Sequence, residues 1–186
     1  SDVASAFDDG SALTTQFNYL IEKSATSNVT ITDTIGSTAS FNRILAAVDG
    51  NVTATMLSDT HDDIIANLTS GSANDVIAMT VTGKTSGGTL PISLAEFNQL
   101  DDLTSSNIVV SCGITDTAAL MAPSGTKSTR FTAVTTQDPD VVVTVTGTAP
   151  TVTEINAICG ATTGIVTATV ATDTITNLND LTTSAT

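Results

Sequence analysis

Six β-rich runs recur along the chain, and their spacing constrains the fold more than any single residue does. They start at Asn28, Asn51, Asp75, Asn107, Asp140 and Gly164, so successive starts are 23, 24, 32, 33 and 24 residues apart. Each run puts aliphatic residues on one parity and polar residues, mostly Thr, on the other. Val29 and Ile31 alternate with Thr30 and Thr32, and Val52, Ala54 and Met56 with Thr53 and Thr55. The later runs add Thr80 and Thr82, Thr144 and Thr146, and Thr167 and Thr169 on the same parity. A period of two describes a strand with one buried and one wetter face. Between the runs the apolar spacing becomes helical, as in Phe41, Ile44, Leu45 and Val48, in Leu94, Phe97, Leu100 and Leu103, and in Ile155 and Ile158.

Geometry turns that alternation into a topology. A strand of about six residues spans about 20 Å and a helix of about ten residues about 15 Å, so one strand–helix unit returns the chain nearly to its starting level. The expected fold is therefore α/β: a right-handed α/β solenoid of about six strand–helix repeats, with one parallel sheet and helices on one side. Residues 1–186 are read as a single repeat domain with insertions near 83–90 and 121–138. Ser37, Ser93 (with Glu96 closing a capping box) and Thr151 or Thr153 are the expected helix caps. Asp49-Gly50, Ser70-Gly71 and Thr163-Gly164 are the expected exits. The first insertion reads as a Gly-rich loop, and the Thr-rich run Thr129 to Thr136 in the second as an added short strand. Helical spacing also marks Leu13, Phe17, Leu20 and Ile21 near the start and Thr174 to Ser184 near the end. Neither end shows the polar cap of an isolated solenoid, so the chain reads as a segment of a longer array or a subunit that stacks end to end.

Charge narrows the partners. Five Lys or Arg face nineteen Asp or Glu, a net charge of −14, which repels nucleic-acid backbones and anionic lipid. No apolar stretch approaches the roughly 18 residues of a membrane-spanning helix. The chain has 38 threonines and no tryptophan; with a positive mean hydropathy, it reads as folded rather than disordered. Few lysines among many Thr, Asn and Ser fit an extracellular or cell-surface location.

Chemistry is sparse. The single histidine, His61, stands before Asp62 and Asp63 at a helix start, where the acids serve the helix dipole; no nucleophile stands at a triad spacing from it. Enzyme activity is not expected. Acidic pairs at Asp8-Asp9, Asp62-Asp63, Asp101-Asp102 and Asp138-Pro139-Asp140 read as solvated surface. No cofactor is expected, with calcium at acidic loops or subunit junctions as the alternative. Cys112 and Cys159 are either one disulfide or two buried small hydrophobes. Asn28, Asn51 and Asn67 fit the N-glycosylation pattern, which a Thr-rich chain matches by chance. The sharpest candidate is the outer face carrying Thr30, Thr32, Thr53, Thr55, Thr80, Thr82, Thr144, Thr146, Thr167 and Thr169. Ordinary β-propensity accounts for such a face without any ligand.

The phrase running from Glu154-Ile-Asn-Ala-Ile158, through Thr163-Gly-Ile-Val-Thr-Ala-Thr169, to Thr174-Ile-Thr-Asn-Leu178 resembles tandem repeats of giant bacterial, especially cyanobacterial, surface proteins and adhesins. It is clear over Pro150 to Thr183, fainter over Gly36 to Leu68 and Ser93 to Leu120, and absent from both insertions. The resemblance implies secretion and a structural or adhesive role without catalytic residues. The Thr-x-Thr pairs also resemble the ice-binding face of antifreeze solenoids. The expected function is thus a structural module of an extracellular filament, sheath or adhesin, whose partners are other copies or neighbouring repeats. The alternative is an ice- or glycan-binding module.

Overall fold

A computed structural model describes residues 1–182; the last residues of the helical reading at Thr174 to Ser184 lie outside them. The chain packs as two compact units, Ser1–Gly87 with Gln99–Ile108 and Gly88–Asn98 with Val109 onward. Helices and strands alternate: α1 (Ala4–Phe7), α2 (Thr15–Lys23), β1 (Val29–Ile35), α3 (Thr38–Ala47), β2 (Val52–Met56), α4 (His61–Asn67), β3 (Val76–Val81), α5 (Leu94–Asp101) and β4 (Ile108–Val110). They continue as β5 (Ile114–Thr117), α6 (Ala118–Met121), a 3-10 turn (Pro123–Gly125), α7 (Thr129–Gln137), β6 (Val143–Thr146), α8 (Val152–Cys159), β7 (Val166–Thr167) and α9 (Ile175–Leu178).

The class is α/β with parallel sheets. The pairs β1–β2, β2–β3, β5–β6 and β6–β7 all run parallel. The expected single sheet is instead two, ordered β1-β2-β3-β4 and β5-β6-β7. The run at Asn107 explains the break. It does not continue to Cys112 but stops at Val110, turns at Ser111–Cys112 and restarts as β5. Gly113 makes the turn with φ 79°, its N–H donating to the Val110 carbonyl at 3.1 Å. A side chain there would be strained by that φ and would put Cβ 2.8 Å from the Val142 carbonyl oxygen.

The inner parity of the strands makes the core as the alternation implies. Val29, Ile31, Val52, Ala54, Met56, Ile77, Met79 and Val81 are buried in the first unit, as are Phe41, Ile44 and Leu45 of α3. Phe131, Val134, Val143, Val145, Ile155 and Ile158 do the same in the second. Each full burial of this kind contributes about 1.5–3 kcal/mol. The capping expectations hold at Ser37, at Ser93 with Glu96, and at Thr151, which forms a capping box with Glu154.

The Thr129–Thr136 run is a helix, not the expected strand. Ser128 caps it, Phe131 and Val134 supply its buried stripe, and Thr132, Thr135 and Thr136 donate their hydroxyls to carbonyls four residues back at 2.9, 3.1 and 2.7 Å. Those bonds satisfy the hydroxyls within the helix, and the buried Phe131 and Val134 hold it in place. The residues ahead of β1 also pack within the first unit. Asp2 forms a parallel bridge to Ile31, and Phe7 packs edge-on against Phe17 with centroids 4.9 Å apart. Arg43 grips buried Asp8 through two hydrogen bonds of 2.7 Å.

Candidate functional surface

Within each unit, the same polar joints hold one coil to the next. Asn42 on α3 is the fifth residue after its cap; its Oδ1 accepts the Ser70 N–H at 2.7 Å and its Nδ2 donates to Thr69 at 3.2 Å. Asn156 holds the same place on α8, accepting the Thr182 N–H and donating to the Asp180 carbonyl, both at 2.8 Å. A second joint uses a buried hydroxyl. Thr104 Oγ1 lies 3.0 Å from the Ile77 carbonyl while Ser105 N–H donates to the Asp75 carbonyl at 2.7 Å. Thr162 and Thr163 repeat this in the second unit on Val141 (2.8 Å) and Pro139 (2.9 Å). Finally, Asp75 accepts the Val52 N–H at 2.7 Å and Asp138 the Val110 N–H at 2.6 Å. Asp75, which opens its run, and Asp138, two residues ahead of the run at Asp140, thus each serve the amide of the strand before. A buried amide left without a partner costs about 1–3 kcal/mol.

The structure assembles the Thr face only in part. Thr30 lies beside Thr53, but the first sheet then places Val76 and Ala78 opposite Thr53 and Thr55. A register shift after Thr30 pairs Thr55 with Thr34 rather than Thr32, whose N–H donates to the Asp2 carbonyl. Thr80 and Thr82 are half-buried, Thr82 directing its hydroxyl to the Asp59 carbonyl at 3.2 Å. In the second sheet Thr115, Thr144 and Thr167 form an unbroken row, with Thr117 beside Thr146; Thr169 lies beyond β7. Thr34, Thr115 and Thr117 were missed. The signal was present, because Thr-Asp-Thr recurs at Thr32–Thr34, Thr115–Thr117 and Thr172–Thr174.

The last described coil differs from those before it. Val166, Ala168 and Val170 are half-buried, whereas Val141, Val143 and Val145 one coil earlier are at most 9% exposed. They line an apolar hollow of about 210 Å³ with Ile155, Cys159 and Leu181. β7 stands at the edge of its sheet. A larger, polar hollow of about 660 Å³ lies among Ser124, Thr151, Thr153, Asn156, Asp173 and Asp180.

The acidic pairs are largely engaged. The Arg43 hydrogen bond holds the Asp8 carboxyl below the usual range, and the N–H groups of Ala12 and Ser11 bring exposed Asp9 to about 2. Asp62 faces the His61 ring and Asp63 the capping Thr60. Burial pushes Asp138 up, and neighbouring Asp140 adds to the shift. Among the described residues, no three His, Cys, Asp or Glu side chains come together as metal ligands. No described helix is long and apolar enough to cross a membrane. Cys112 and Cys159 stand as two half-buried thiols rather than a bridge, and burial raises Cys112.

No protein-family model, curated protein or solved structure matches this chain.

Proposed function

We propose that the chain is a structural module of an extracellular filament, sheath or large surface adhesin, built as a right-handed α/β solenoid of about six coils. It has no catalytic role in this reading and needs no cofactor, with calcium at acidic loops or subunit junctions as the alternative. The observation that carries the reading is the half-buried aliphatic edge at Val166, Ala168 and Val170. One coil earlier, the buried Val143 pairs with Val166 of the coil that follows, so the β7 edge has the chemistry to receive another coil. The recurring Asn, Thr and Asp joints support it, because they are coil-to-coil bonds that any further coil could repeat.

Sedimentation over a range of concentrations tests this. The intact chain should self-associate, more so in salt that screens its net charge of −14. A Val166→Lys, Val170→Lys double variant should stay monomeric while keeping its circular dichroism. A monomer at every concentration and salt would contradict the reading. The row Thr115–Thr144–Thr167 and the polar hollow favour a second reading, ice or glycan binding. Ice shaping or glycan-array binding by that monomer, lost in Thr144→Val, would favour it.

A further inference from the structure

His61, the only histidine of the chain, is 5% exposed, and both ring nitrogens lie against oxygens. Nδ1 is 2.7 Å from Asp62 Oδ1, and Nε2 is 2.9 Å from Gln99 Oε1. Two acceptors require two N–H donors, and only the imidazolium has both. Because the Asp62 carboxylate lies against Nδ1, a neutral ring keeps its proton there and presents a lone pair at Nε2. That lone pair is satisfied only if the Gln99 amide turns over and presents its NH2 group. We propose that the Gln99 side-chain amide is a two-position latch set by the proton on His61, oxygen toward the charged ring and NH2 toward the neutral one.

The ring has little room to escape the choice. The His61 N–H donates to the Gly83 carbonyl and the Asp62 N–H to the Lys84 carbonyl, both at 2.9 Å, which pins the start of α4. Charged side chains on the surrounding elements are Asp62 and Asp63 on α4, Lys84 in the loop after β3, and Glu96 and Asp101 on the helix that carries Gln99. A hydrogen bond from a charged donor is about twice as strong as a neutral one, so protonation tightens the link between α4 and Gln99. The latch does not depend on the stacking reading.

A lone histidine makes the test clean. Nitrogen NMR of the ring and of the Gln99 amide is followed between about pH 5 and pH 8, the range in which histidines ordinarily change charge. The Gln99 NH2 resonances should move with the same midpoint as the ring. Gln99→Leu should lower the melting temperature more at the acidic end than at the basic end. Gln99→Glu, which keeps an acceptor but has no amide to turn, should recover the acidic end only. The proposal is overturned by a Gln99 amide that stays fixed while the ring titrates, by a ring that never changes state, or by a Gln99→Leu loss equal at both ends.

Discussion

The start of the first unit and the far end of the second are built from the same strand–helix alternation but finished differently. At the start, Asp2 bridges β1, Phe7 and Phe17 are buried against each other, Arg43 holds Asp8, and Val29 and Ile31 are each 5% exposed, although a hollow of about 350 Å³ lies among Phe7, Phe17 and Leu20. At the far end, β7 contributes only two paired residues, and its aliphatic side chains line an open hollow. The strand pattern is the same in both places. What differs is whether something lies on top of it, so an aliphatic run specifies a buried face without specifying what buries it.

The largest test of this contrast is truncation of an aromatic. Phe17→Ala should cost about 3–5 kcal/mol in denaturant unfolding, whereas Val166→Ala at the open end should cost under about 1 kcal/mol; comparable losses would erase the distinction. Asp75→Ala should follow at about 1–3 kcal/mol, because the Val52 amide loses its acceptor.

Acidity separates the units by sign. Asp8 is depressed when folded, so its contribution is present above the ordinary carboxylate range and is lost as pH falls through its folded value. Asp138 is raised. Its contribution is present in full below the ordinary carboxylate range and lost as pH rises through its folded value. Asp138→Asn should therefore remove a gain in stability on mild acidification, and Asp8→Asn should remove a loss at stronger acid, both read by pH-dependent unfolding. The smallest effect belongs to the Thr row: Thr144→Val should change stability by less than about 0.5 kcal/mol.

Much of this architecture is legible in the sequence, for local reasons. Alternation at Val29–Ile31 and Val52–Met56 fixed the inner faces, and Ser37, Ser93 and Thr151 marked helix starts through a hydroxyl three residues ahead of an amide. The misses are equally local. Thr129–Thr136 looked like a strand because Thr favours one, while the hydroxyl bonds to carbonyls one turn back appear only once the helix exists. The split into two sheets depended on the backbone of Gly113, which hydrophobic periodicity does not register. The Thr face was readable as a set but not as a surface, since whether Thr53 meets Thr or Val is decided by register across strands far apart in sequence.

Amide hydrogen exchange in dilute solution measures most directly whether the β7 edge of the second unit is less covered than the inner strands of either unit. The account predicts strong protection at Val52, Ile77 and Val143 and near-unprotected exchange at Ala168 and Val170, with protection there rising as the protein is concentrated. Protection at Ala168 and Val170 equal to that at Val143, and indifferent to concentration, would contradict it.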